Sequence, residues 1–201
     1  MSPRLQRIFF FALLGICLLM SGILLHLRER AHERLLNERN NIPAFAQGAE
    51  EQPVDLILAN DVDGSLTPQK HQIALPADPG TRARLILNIL LAGYTDMRST
   101  HHLPVGDGVE EVFLLPVPGA KGDDAPLLAV VNLKKHFVET HPSGLETETL
   151  TVLSICSTLR ASNPRIAQVR FLVDGQAHET LAGHIDLERT YLTSDSGTEQ
   201  P

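Results

Sequence analysis

The chain has no tryptophan, two tyrosines and an aromatic fraction of 4%, which argues against the stacking platforms that bind sugars or single-stranded nucleic acid. Cysteine is equally scarce. Cys17 lies in an apolar run and Cys156 on the apolar face of an expected helix, so the two cannot meet and no disulfide framework is written. Cys156 reads as a small core residue. Basic charge is short over most of the length: residues 1–39 hold six Arg and three Glu, net +3, and the rest hold 11 basic and 21 acidic groups, net −10, giving −7 overall. An acidic domain has no electrostatic footprint for nucleic acid, which is therefore excluded as a partner.

Length bounds the rest. Two hundred and one residues allow one ordinary domain with appendages. Residues 8–25, IFFFALLGICLLMSGILL, form one uncharged run of 18 residues that would span about 27 Å as a helix, just enough to cross a bilayer. No small-x-small site precedes its polar flank, so a cleaved signal is disfavoured. A lipidated Cys17 is rejected because bulky Ile16 precedes it and the apolar run continues beyond. Residues 1–25 thus read as tail and transmembrane helix, 26–40 as a charged helical stalk, 41–53 as a linker, 54–193 as the domain and 194–201 as a disordered tail.

Within the domain, Val54, Leu56 and Leu58 alternate as a strand, 60–68 is rich in turn residues, and 70–75 reads as a second strand. Asp78 followed by Pro79 predicts a helix start, Ala83, Ile86, Leu87 and Leu90 stripe the helix, and Gly93 ends it. A loop over 94–108 leads to strands at 109–117 and 127–133. Ser143 and Glu146 have capping-box spacing, so a second helix begins at Gly144 or Leu145. It buries Leu145, Thr149, Val152, Leu153, Cys156 and Leu159 and wets Thr147, Thr151, Ser154 and Thr158. Asn163-Pro164 ends it. Ala167, Val169, Phe171 and Val173 alternate as a strand, Asp174-Gly175 predicts a two-residue hairpin turn, and 176–181 reads as the return strand. The expected fold class is α+β, a mixed or antiparallel sheet with two helices on one face, preceded by the transmembrane helix.

Several of these stretches carry a family pattern. Thr158-Leu159, the run Val169 to Gly175, and Thr180-Leu181-Ala182-Gly183-His184 resemble the C-terminal half of the sporulation and spore germination (GerMN) domain. Leu103-Pro104-Val105-Gly106 resembles its L-P-x-G turn. Ala129 to Leu133 resembles its A-x-V-D-L strand, with Asn132 in place of the aspartate, and Phe137 and His141 to Gly144 also fit. The resemblance covers about residues 54–192 and implies a non-catalytic scaffold of the cell envelope, whose relatives build oligomeric rings; edge strands and the hairpin would supply the contacts. Its motif residues, Leu103, Pro104, Gly106, Asn132, Ser143, Glu146, Thr158, Leu159, Val173, Asp174, Gly175, Leu181, Gly183 and His184, are expected to be structural. Implied partners are the cytoplasmic membrane, other envelope proteins and further copies of the chain. Arg4 and Arg7 against Arg28, Arg30, Arg34 and Arg39 would by charge alone leave the domain inside. The resemblance and the short amino-terminal flank place it outside, in a single-pass protein of the cytoplasmic membrane.

No cofactor or metal is expected. His101 and His102 point opposite ways on an extended chain. His178, His184 and Asp186 offer the runner-up reading, a metal-assisted cell-wall hydrolase or its accessory, although zinc wants three or four converging ligands; a small-ligand receptor, which needs a deep pocket, is the third. His184 reads instead as satisfying a backbone group in its turn. Asp61 to Ser65 has its glycine too early for a calcium loop and reads as a polar turn. Gly106-Asp107-Gly108 lacks the third glycine of a dinucleotide fingerprint, and Ser143 lacks the nucleophile elbow's leading glycine.

Overall fold

The computed structural model describes residues 51–193 apart from Asp123. The apolar run, the stalk, most of the linker and the tail lie outside the described residues. Among the described residues no helix is long and apolar enough to cross a membrane. The elements are β1 (Glu51–Asn60), β2 (Ser65–Ala74), α1 (Pro79–Gly93), β3 (Val109–Pro116), β4 (Leu127–Leu133), α2 (Lys135–Thr140), α3 (Leu145–Ser162), β5 (Ile166–Val173) and β6 (Tyr191–Leu192). The fold is α+β with a mixed sheet, as expected, but the strands divide. β1 and β2 form a separate two-stranded hairpin, while the second sheet runs β3-β4-β5-β6 with only β4 and β5 parallel.

The hairpin is longer than its composition suggests, because the turn between its strands needs only residues 61–64. Gly64, at φ 69°, donates to Asn60 O at 2.9 Å. Asn60 Oδ1 and Asp63 Oδ1 take the N–H groups of Val62 and Ser65, both at 3.0 Å, the local bonding that suits Asn and Asp to turns. Pairing then extends to Glu51 and Ala74, so residues 51–53 belong to β1 rather than to a linker. Pro68 fits within β2 because β2 is an edge strand whose outward side needs no donor.

Helix α1 begins as its residues dictate. Asp78 accepts from Thr81 N at 2.7 Å, Pro79 occupies the first turn, and Ala83, Ile86, Leu87 and Leu90 are buried. The helix also closes the outer edge of β3. Asn88 pairs like a strand, donating to Val109 O at 2.9 Å and accepting from Val109 N at 3.0 Å. At Gly80 a Cβ would come within 2.6 Å of Val112 O, so only glycine lets the helix lie this close. Val112, Ala129, Val131, Leu133, Val169, Phe171 and Val173 fill the core from one side of the sheet.

Helix α3 starts and stops within a residue of expectation, but its second face is not wet. Thr151, Ser154 and Thr158 are fully buried, whereas Leu145, assigned to the core stripe, is 62% exposed. These small hydroxyl residues let β1 come up against the helix. β1 pairs with β2 along one edge only, and its opposite edge would leave buried N–H groups unpaired. Thr158 Oγ1 takes the N–H of Ile57 and Tyr94 Oη that of Ala59, each at 2.9 Å. The short helix α2, which buries Phe137 and Val138, was not anticipated; its six residues show too little periodicity to register.

The Asp174-Gly175 turn forms, with φ 47° and 76° and with Val173 N and Gln176 O 2.8 Å apart. The expected return strand over 176–181 does not. Residues 174–179 are exposed, so no apolar alternation draws them onto the sheet, and the partner of β5 is β6, which pairs with Gln168 and Val169.

Replacing Thr158 by valine keeps the shape and removes the acceptor for the buried Ile57 N–H. Thr158→Val is expected to lose about 1–3 kcal/mol in urea unfolding, while Thr149→Val, whose hydroxyl bonds only its own helix, stays within about 0.5 kcal/mol. Equal losses at the two positions would refute this role for Thr158.

Candidate functional site

The N-terminal half of α3 gathers nearly all the buried polar chemistry of the domain. Gly144 is the N-cap, and no side chain caps the helix by the expected route. The carboxylate that does the work is Glu148, four residues on. Its Oε1 accepts from Gly144 N at 3.2 Å and from His184 Nδ1 at 2.8 Å. Its Oε2 accepts the N–H groups of Ala182, His184 and Ile185 at 3.0, 3.0 and 2.9 Å. The side chain is wholly buried. Burial alone would raise its pKa from 4.5, but the N–H of Ile185, the His184 ring and the N–H groups of Ala182 and His184 outweigh it and hold the carboxyl down at about 2. Gly183, at φ 114°, turns the backbone so that its neighbours' N–H groups converge on one oxygen.

The capping-box assignment is thereby corrected. Ser143 Oγ lies 3.5 Å from His184 Nδ1 and caps nothing, and Glu146 is exposed beside Gly64. Ser143, His184 and Glu148 do not form a nucleophilic triad either, since serine and carboxylate both meet the same imidazole nitrogen. A relay needs them on opposite nitrogens.

One turn further along, Thr151 sits between two histidines. His101 Nε2 and His141 Nε2 lie 2.9 and 2.8 Å from its Oγ1, which is also 3.0 Å from Thr147 O. His101 Nδ1 is 2.5 Å from Asp61 Oδ1, and His141 Nδ1 is 2.9 Å from Pro142 O. A carbonyl only accepts, so His141 carries its hydrogen on Nδ1. Burial lowers the pKa of His141, with the nearby His101 adding to it and the Pro142 carbonyl opposing. Thr151 Oγ1 then faces two acceptors, the bare His141 Nε2 and Thr147 O, so His101 Nε2 is the donor to Thr151. Thr151 and His101 are fully buried, and the Asp61 end of this Asp-His-Thr chain is the part that reaches solvent, with its side chain 30% exposed. It ties the β1–β2 turn, the loop before β3 and the start of α3 together.

The remaining motif residues are distributed through the frame. Leu103, Leu159 and Leu181 are buried, as is Val173 before the turn. Pro104 is exposed, and Gly106 lies where a Cβ would meet Ala92 Cα at 2.6 Å. Asn132 donates to Glu110 Oε2 at 2.9 Å and accepts from Gly175 N at 2.7 Å, while Asp174 Oδ1 accepts from Lys135 N at 3.0 Å. His178 is exposed, and Asp186 Oδ1 caps Glu188 N at 2.8 Å. Among the described residues no group of three His, Cys, Asp or Glu could hold a metal ion, so His178, His184 and Asp186 are not brought together as ligands. Burial pushes the Cys156 thiol up to about 12, which leaves it unreactive.

The profile of the Germane family, sporulation and spore germination, matches residues 58–179, more than half of the chain. The chain belongs to that family. Two solved structures share similarity: a candidate lipoprotein from Clostridium perfringens, 18% identical, covering 72% of this chain and 87% of its own, TM-score 0.44, and the first GerMN domain of the sporulation protein GerM from Bacillus subtilis, 14% identical, covering 72% and 99%, TM-score 0.45. No curated protein matches. Of the polar groups that organise this Germane domain, Glu148, Asp61, His101, His141 and Thr151 were missed by sequence reasoning. Their partners lie 10 to 50 positions away in sequence, beyond any local pattern; for Glu148 the one local signal was a second glutamate within reach of the helix start.

Glu148 titrates near 4.5 unfolded and near 2 folded. Between those values the unfolded chain binds more protons, so its contribution is complete above pH 4.5 and is lost as the pH falls toward 2, roughly 3 kcal/mol in all. His141, lowered from 6.5, adds an earlier loss that begins as the pH drops below 6.5. Glu148→Gln is expected to abolish the lower limb and to cost about 2–4 kcal/mol at pH 7, since either amide orientation sets an NH2 against donors. Urea unfolding across pH 2–7 tests this; a lower limb that survives in the glutamine variant would assign it to another group.

Proposed function

We propose that the chain is a membrane-tethered, non-catalytic interaction module of the cell envelope, of the sporulation and germination type, with its domain outside the cytoplasm. The observation that carries this reading is that the domain's convergent polar groups are consumed by the fold. Glu148, Thr151, His101 and Asn132 each spend their hydrogen bonds on backbone or on neighbouring side chains, and the one cysteine of the domain is buried. A catalytic site keeps a nucleophile, acid or base turned toward a space a substrate can enter. The apolar run 8–25 supplies the tether in this reading, and family membership supplies the envelope setting.

Two measurements test it. A reporter fused after residue 201 of the full chain should be active only outside the cytoplasmic membrane; activity inside would reverse the topology. His184→Ala, which leaves Glu148 its four backbone donors, should still complement a deletion strain and cost only about 1 kcal/mol of stability. Loss of complementation by a folded His184→Ala protein would point to chemistry at that imidazole.

A further inference from the structure

The edges of β3 and β2 are poor places to add a strand. Asn88 and Gly80 bring α1 over the edge of β3, and β2 carries Pro68 and Lys70 along its open edge, residues that blunt strand pairing. The outer face of the four-stranded sheet is different. Opposite the buried side chains, register sets Leu115 against Leu128, with Gln168 and then Leu192 beyond. The next row holds Phe113, Val130 and Arg170. Of the six large apolar side chains most exposed among the described residues, three are here: Phe113 at 45%, Leu115 at 49% and Leu192 at 47%. A contiguous apolar face of this kind marks an interaction surface, whereas scattered exposed leucines need no explanation.

Charge on this face is arranged in a particular way. Arg170 stands on β5 among apolar neighbours, exposed, and forms no ion pair among the described residues. Glu111, also exposed and unpaired, stands on β3, opposite Asn132 and on the far side of β4. The cation and the anion thus flank a central apolar strand. A twofold axis along β4 would lay β3 of one copy over β5 of the other, as in aligned sheet packing. Each Arg170 would then meet the Phe113 ring of the partner subunit in the same row, with the carboxylate of Glu111 of the partner subunit one row on.

We propose that this outer sheet face docks a second copy of the chain, Arg170 of each copy engaging Phe113 and Glu111 of the other. The proposal rests on the scaffold reading above and names the surface and partner it would use. Self-complementarity favours a second copy over a foreign partner. Beyond residue 39 the chain carries net −10, so copies repel in most orientations, and this face brings a cation to an anion twice. Size makes the contact weak. Four strands at ~4.8 Å and seven residues at ~3.3 Å outline roughly 15 by 23 Å, well under the ~800 Å² per partner of a standard stable interface. Trapping is therefore the right assay.

In the full chain in membranes, Val130→Cys places a thiol beside the axis and should give a disulfide-linked dimer on mild oxidation, whereas Val62→Cys, in the β1–β2 turn, should not. In the Val130→Cys background, Arg170→Glu should lower the dimer yield at least tenfold, and adding Glu111→Arg should restore it to within twofold, with thermal midpoints unchanged throughout. No dimer from the Val130→Cys chain, a yield indifferent to Arg170→Glu, or failure of the charge swap to restore it would overturn the proposal. If native gels of the unmodified chain still show oligomers in those cases, the scaffold reading stands and only the face is wrong. If the chain is monomeric throughout but Arg170→Glu releases a different envelope protein, the second-copy assignment is refuted in favour of a foreign partner.

Discussion

The frame depends on one buried carboxylate. Glu148 lies where a charge would be very costly without partners, and five donors surround it. Four of them are backbone N–H groups, which no side-chain replacement in the 182–185 loop could remove except proline. This is why a connection without regular structure holds a fixed path between β5 and β6. With residues 182–185 pinned, Leu181 and Leu187 reach the core and Tyr191 Oη donates to Asp186 O at 2.6 Å. β6, only two residues long, is then delivered to the edge of β5 by that anchored loop.

A second constraint is what to do with strand edges. In a domain whose sheets are two and four strands wide, the fraction of strands with an open side is high, and buried N–H groups there must be matched. The chain matches them with side chains. Tyr94 and Thr158 serve β1 and Asn88 serves β3. Only short, polar or hydroxyl-tipped residues can do this while leaving room for a helix against a strand, which explains why the hydroxyl face of α3 is inside. The expectation that edges and hairpin would make intermolecular contacts is weakened by the same fact. In the proposal above, the outer face of the four-stranded sheet takes that role instead.

How much of this was legible follows from the range of each interaction. Asp78-Pro79, Asn163-Pro164 and Asp174-Gly175 act on their own neighbours, and the structure places those boundaries and that turn where the residues put them. The alternation of Val169, Phe171 and Val173 likewise reports a local period. Thr151, Ser154 and Thr158 looked solvent-facing because polarity along a helix reads as exposure, and only a strand arriving from 101 residues away reverses that for Thr158. Glu146 was preferred to Glu148 because the capping box has a fixed spacing. The helix uses a longer reach, from N-cap backbone to the residue four on, and that choice was settled by donors more than 30 positions downstream.

Asn132 brings the two levels together. The family pattern suggests aspartate at this position, and a carboxylate could still accept the Gly175 N–H that fixes the end of the hairpin turn. It could not donate to Glu110, whose Oε2 lies 2.9 Å from the Asn132 amide nitrogen, and two carboxylates at that separation repel unless one takes up a proton. Asparagine keeps the acceptor the turn requires and turns its other atom into a donor. The glutamate facing it sits at the bulge where β3 shifts register between Val109 and Glu111, on the exposed side of the strand. The departure at 132 therefore suits a glutamate at 110: aspartate would lose this hydrogen bond and set two carboxylates side by side unless Glu110 turned to water.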